Sequence, residues 1–160
     1  MQAWVRWSIT LAWAVLIFDL STSTFGGSLT AWLLRELLLV LRLSISESAF
    51  ATLHFLFRKL AHCTEYAIFS VLLYHCILNS NRTEWRVRAA AWSVFAAGLY
   101  SLTDEFHQLF VPGRGASLID CGIDTTGALI GMLVILAWTR FIQSDLPVAA
   151  AQEPDYVISK

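Results

Sequence analysis

The stretch whose reading decides the fold is 101-SLTDEFHQLFVPGRGASLIDCGIDTTGALIG-131. Asp104, Glu105, His107, Arg114, Asp120 and Asp124 crowd into it, yet the chain on both sides is apolar enough to be membrane-spanning. Val111-Pro112-Gly113 divides it into two helix ends, because proline and glycine break helices. At 100° per residue, Ser101, Asp104, Glu105 and Gln108 share one face of the first helix, with His107 three residues beyond Asp104. Asp120, Asp124, Gly127 and Gly131 form one stripe on the second. The polar residues therefore sit at the meeting ends of two apolar helices.

Composition agrees with a membrane setting. The 160 residues are 57% hydrophobic and 14% charged, with a mean hydropathy of +0.61. A soluble domain carries about 25% charged residues to clothe its surface. A formal charge of −1 argues against a nucleic-acid partner, which would want a basic patch. Cys63, Cys76 and Cys121 are odd in number and lack paired metal spacing, so they read as small packing residues and imply no disulfide framework.

Working outward, the expectation is an all-α polytopic membrane protein with a four-helix transmembrane bundle. The spans fall at about residues 4–18, 60–78, 85–108 and 117–141, since about 20 residues cross the hydrocarbon. Residues 1–18 lack a small-x-small cleavage site and read as a retained first span, not a signal peptide. Residues 28–43 are apolar, but Arg35 and Arg42 are seven apart on one face. That suits an interfacial amphipathic helix with snorkelling arginines, and lying flat is favoured over a fifth span. One domain over 1–142 precedes a loose tail over 143–160, rich in Pro and small residues.

Arg82, Arg86 and Arg88 in the short loop between spans two and three point to a cytoplasmic loop, and so to a multi-pass inner-membrane protein with both termini cytoplasmic. Arg6 and Arg140 fit that orientation; Arg35, Arg42, Arg58, Lys59 and Arg114 run against it. With this topology a third polar group joins the first two. On span two, Lys59, His62 and Tyr66 line one face with Glu65 at its edge. Ionised groups in lipid are costly and should face the bundle interior or a wet cleft, paired with one another. An outward-opening polar pocket follows. Gly127 and Gly131, four apart, let another helix approach closely and offer a face for a homodimer.

Each residue also has a plain structural reading. Ser117 to Asp120 matches a capping box, so Asp120 can serve as a helix cap. His54, His62 and His75 can be hydrogen-bonded packing residues. Asp124 and Glu65 lie deeper than a cap reaches. A structural ion-pair network explains the set without function.

The segment 59-KLAHCTEYAIFSVLL-73 resembles the Lys-x-x-His-x-x-x-Tyr helix of the VanZ-like family. The opening stretch resembles that family's Asp-Glu-x-x-Gln…Pro-x-Arg…Asp-x-x-x-Asp-x-x-Gly signature, and the two occur in the expected order. The resemblance implies a small integral membrane protein of the bacterial envelope, in a family named for an association with low-level resistance to the glycopeptide teicoplanin. It carries over to Lys59, His62, Tyr66, Asp104, Glu105, Gln108, Arg114, Asp120, Asp124 and Gly127.

Three functions compete. An envelope protein would bind a lipid or cell-wall-precursor headgroup, with Lys59 and Arg114 meeting phosphate or carboxylate. The expected ligand set is Lys59, His62, Glu65, Tyr66, Asp104, Glu105, Gln108, Arg114, Asp120 and Asp124. A membrane-embedded enzyme would use His62 or His107 beside Asp104 or Glu105 as acid/base, with Asp124 a further candidate. A metal-assisted version draws on His62, Glu65, Asp104, His107 and Asp124, in spacings that match no familiar metal signature. A proton- or ion-coupled transporter would use the buried acids, but there is no internal repeat. No cofactor fingerprint, P-loop or Gly-x-Ser-x-Gly elbow is present, so no cofactor is expected.

Overall fold

The computed structural model describes residues 2–22, 26–78, 85–111 and 115–144. Five helices follow in order: α1 (Ala3–Ser21), α2 (Gly26–Val40), α3 (Glu47–Leu78), α4 (Val87–Gln108) and α5 (Leu118–Ser144). All regular structure among the described residues is α-helical.

Three helices are long and apolar enough to cross a membrane: Ala3–Ser21, Glu47–Leu78 and Leu118–Ser144. The expected four spans are thereby corrected, since α4 is not among them. Its strongly apolar side chains form one exposed stripe, Trp92, Phe95, Leu99, Leu102 and Phe106. Its inward face is built from Ala89, Ala90, Ser93, Ala97, Ser101, Asp104 and Glu105. Confining the apolar residues to one face dilutes the helix as a whole.

A second difference concerns α3, one unbroken helix of 32 residues and about 48 Å long, not a span starting at residue 60. No proline or glycine interrupts residues 47–59. A helix is found in the region expected for the interfacial one, as α2 over Gly26–Val40, but it is not isolated. It folds back on the start of α3, where Thr30 Oγ1 lies 2.9 Å from His54 Nε2 and the Arg35 guanidinium sits 4.9 Å from the Phe50 ring centre. The turn is set by Arg42 at φ 54°. With it, the Leu43 N–H donates to Leu38 O at 2.9 Å and the Arg42 N–H to Leu39 O at 3.0 Å. This pair of bonds is a Schellman helix end, with arginine where glycine is usual.

α3, α4 and α5 pack on one another, and α1 docks against α3 and α4. The α3–α5 seam depends on the paired glycines. A Cβ at Gly127 would lie 2.1 Å from Cys63 O, and one at Gly131 2.4 Å from Ala67 O. Ser70 Oγ adds a hydrogen bond across the seam to Ala128 O at 2.9 Å. The glycine face expected to receive a second copy is thus filled by the chain's own α3. Lipid offers little apolar drive for helix association, so close packing and hydrogen bonds supply it. α1 shows the latter: Trp13 Nε1–H donates to Glu65 O at 3.0 Å and Tyr100 O–H to Ala14 O at 2.7 Å. Ile17, Tyr66, Phe69, Leu73, Ala97 and Ala128 fill the space between these contacts.

Candidate functional site

At one end of the bundle, α3, α4 and α5 enclose a small polar cleft. It is lined by Arg58, Lys59 and His62 from α3, Glu105 and Gln108 from α4, and Asp120, Ile123 and Asp124 from α5. Helical spacing puts His62 one turn after Arg58 and Lys59, Gln108 one turn after Glu105 and Asp124 one turn after Asp120, so an interior turn of α3 faces the end of α4 and the start of α5. The interior measures about 10 Å³, room for one water-sized group.

Lys59 pairs with Asp120 across the seam. His62 Nδ1 stands between two carboxylates, 3.7 Å from Glu65 Oε2 and 4.0 Å from Asp124 Oδ1. Asp124, 2% exposed, accepts the Ser101 hydroxyl on Oδ2 at 2.6 Å. Glu105 Oε2 accepts the Ser117 backbone N–H at 2.7 Å. That bond revises the capping reading of Asp120. Glu105, reaching from α4, takes the backbone donor at the start of α5, and Asp120 is turned to Lys59.

Beside the cleft lies a second, buried polar cluster around Asp104. Asp104, also 2% exposed, accepts the Ser21 hydroxyl on Oδ2 at 2.6 Å and the Gln108 side-chain N–H at 3.2 Å. Gln108 belongs to both regions. Tyr66, with no exposed surface, has Ser101, Asp104 and Asp124 as electrostatic neighbours. Its hydroxyl has no hydrogen bond of good geometry among the described residues. His107 is not in the cleft: its ring packs on Phe18 of α1, centroids 4.3 Å apart.

The structure therefore brings together Lys59, His62, Glu105, Gln108, Asp120 and Asp124, with Glu65 beside His62. Asp104 and His107 stand apart, toward α1. Arg114 lies outside the described residues, as do Arg82 of the short loop and the tail from residue 145. Among the described residues, no three His, Cys, Asp or Glu side chains are grouped to hold a metal ion. Sequence reasoning missed Ser21 as a partner of Asp104. Its signal was available: a serine at the end of span one, at the depth of the acids. It also left Arg58 in the background, although that residue lines the cleft.

A family model described as VanZ/LLP1 matches residues 6–140. The chain belongs to the VanZ/LLP1 family. No curated protein and no solved structure matches it. The match spans most of α1 to most of α5, so both the cleft and the polar cluster around Asp104 fall inside the VanZ/LLP1 region. Together with its apolar helices, this makes the chain a VanZ-like membrane protein. Chemically, the VanZ-like cleft offers two cations at its α3 wall and hydrogen-bonded carboxylates at its α4 and α5 walls.

Proposed function

We propose that this protein is a multi-pass bacterial inner-membrane protein whose cleft binds the polar headgroup of a lipid or lipid-linked cell-wall precursor. The convergence of Arg58 and Lys59 of α3 with Glu105 of α4 and Asp120 and Asp124 of α5 in one cleft carries the reading. Charges placed there cost free energy unless they are paired or solvated, and a headgroup supplies partners of both signs. Arg58 and Lys59 would meet phosphate or carboxylate oxygens, while the acids receive amines and hydroxyls. Arg82, Arg86 and Arg88 support a cytoplasmic short loop, which directs the cleft to the outer face. Cytoplasmic termini follow, and α2 would lie near the headgroups. If the ligand is a cell-wall precursor, loss of the protein should alter teicoplanin susceptibility.

Native mass spectrometry of protein purified in mild detergent tests this reading. A specific headgroup should be retained, and Arg58→Ala with Lys59→Ala should weaken retention by about tenfold, some 1.4 kcal/mol. Retention unchanged in that double variant sinks the assignment. Periplasmic and cytoplasmic reporters fused after residue 80 check orientation. An active periplasmic reporter there would turn the cleft inward.

An acid/base enzyme is the second reading. It is favoured by His62 standing within 4.0 Å of two carboxylates, an arrangement able to relay a proton. His62→Gln should then abolish turnover of a lipid-linked substrate while sparing its retention.

A further inference from the structure

We propose that the cleft selects a headgroup bearing a primary ammonium beside a phosphate, as in an aminophospholipid, with the ammonium between Glu105 and Asp124 and the phosphate against Arg58. This deepens the headgroup reading above and rests on it.

The charges of the cleft motivate the choice. Lys59 is committed to Asp120. Glu105 and Asp124 each hold one oxygen against a neutral donor, the Ser117 N–H and the Ser101 hydroxyl. Neither Glu105 nor Asp124 is in an ion pair with a Lys or Arg side chain among the described residues; Lys59, at the same cleft, is an electrostatic neighbour of Glu105. Two carboxylates at 5% and 2% exposure are costly without positive charge nearby. Arg58 also lines the cleft and makes no ion pair among the described residues. The vacancy is thus acid on one side and guanidinium on the other, which matches a zwitterion better than an anion.

Size narrows the class. An interior of about 10 Å³ takes one water-sized group, and a primary ammonium is about that size. Each added methyl removes a hydrogen-bond donor and adds volume to a space bounded by the α3–α5 seam. A trimethylammonium has no N–H to offer either carboxylate.

Wild-type protein decides the matter without any variant. Delipidated protein is placed in phosphatidylcholine nanodiscs carrying equimolar phosphatidylethanolamine, its N-monomethyl or N,N-dimethyl derivative, or phosphatidylglycerol. Retained lipid is read by native mass spectrometry. Retention should fall along the methylation series, by about tenfold from phosphatidylethanolamine to phosphatidylcholine, with phosphatidylglycerol below the primary amine. Asp124→Asn and Glu105→Gln should flatten the series. Arg58→Ala should weaken phosphatidylethanolamine and phosphatidylglycerol alike and leave the series in order. Equal retention along the series overturns the proposal. So does loss of the preference in sodium or potassium chloride under conditions where choline chloride at equal ionic strength leaves it intact, since a small inorganic cation would then be the occupant. Displacement by equimolar free phosphoethanolamine overturns the lipid source. Preferential phosphatidylglycerol retention that depends on Arg58 removes the amine while leaving the headgroup reading standing. Retention of none above background removes both.

Discussion

Asp104 and Asp124 have the same side chain and the same 2% exposure, yet they do different work. Asp104 faces α1 and is held by a hydroxyl and an amide, Ser21 and Gln108. It ties the first helix to the bundle. Asp124 faces the cleft, with one oxygen on Ser101 and the other toward His62. Burial alone therefore does not mark a functional acid in a membrane bundle. What distinguishes the two is where their contacts lead, Asp104 to Ser21 of α1 and Asp124 to the lining of the cleft.

The comparison breaks most completely at Gly127→Ala. The added Cβ would meet the Cys63 backbone at 2.1 Å, and backbone cannot rotate away as a side chain can. Both regions should be lost together. The cost should reach or exceed the upper end of the usual overpacking range, about 3 kcal/mol, seen as loss of the monodisperse folded peak in detergent. Asp104→Ala comes next. It strands the Ser21 hydroxyl and the Gln108 amide and should cost about 1–3 kcal/mol in denaturant unfolding, with α1 the first element to become protease-sensitive. Ser21→Ala removes one bond of that set and should cost about 1 kcal/mol in the same assay. Smallest in stability is Lys59→Ala. Its ion pair with Asp120 is partly solvated, 22% and 25% exposed, and pairs of this kind contribute about 0.2–1 kcal/mol. If Lys59→Ala destabilises more than Asp104→Ala, the division into a structural and a cleft acid is wrong.

Much of this was legible from residue spacing. The helical faces of 59–66, 101–108 and 120–124 predict which side chains meet, and six of them do line one cleft. α2 and the breaks between helices were legible for the same reason, since local pattern and punctuation are sequence properties. What spacing cannot supply is the partner across a gap. The capping box at Ser117 reads as self-contained, but Glu105 from another helix takes the Ser117 N–H. Gly127 and Gly131 announce a close helix neighbour without saying whose, and it proved to be α3. His107 follows Asp104 by one helical turn, yet the angle between them carries its ring to Phe18. α4 was read as a span because its exposed stripe is so apolar; its small and polar inner face lowers the whole.

The glycine seam bears on how the cleft can vary. Because Gly127 and Gly131 bring α5 against α3 carbonyl oxygens, the separation of the Lys59 and Asp120 walls is set by two backbones in contact. Side chains around the cleft can change its charge, but its gauge is fixed from below. Diversification at the rim would then alter which headgroup is held while conserving how wide a headgroup can be. A wider ligand would require a different seam.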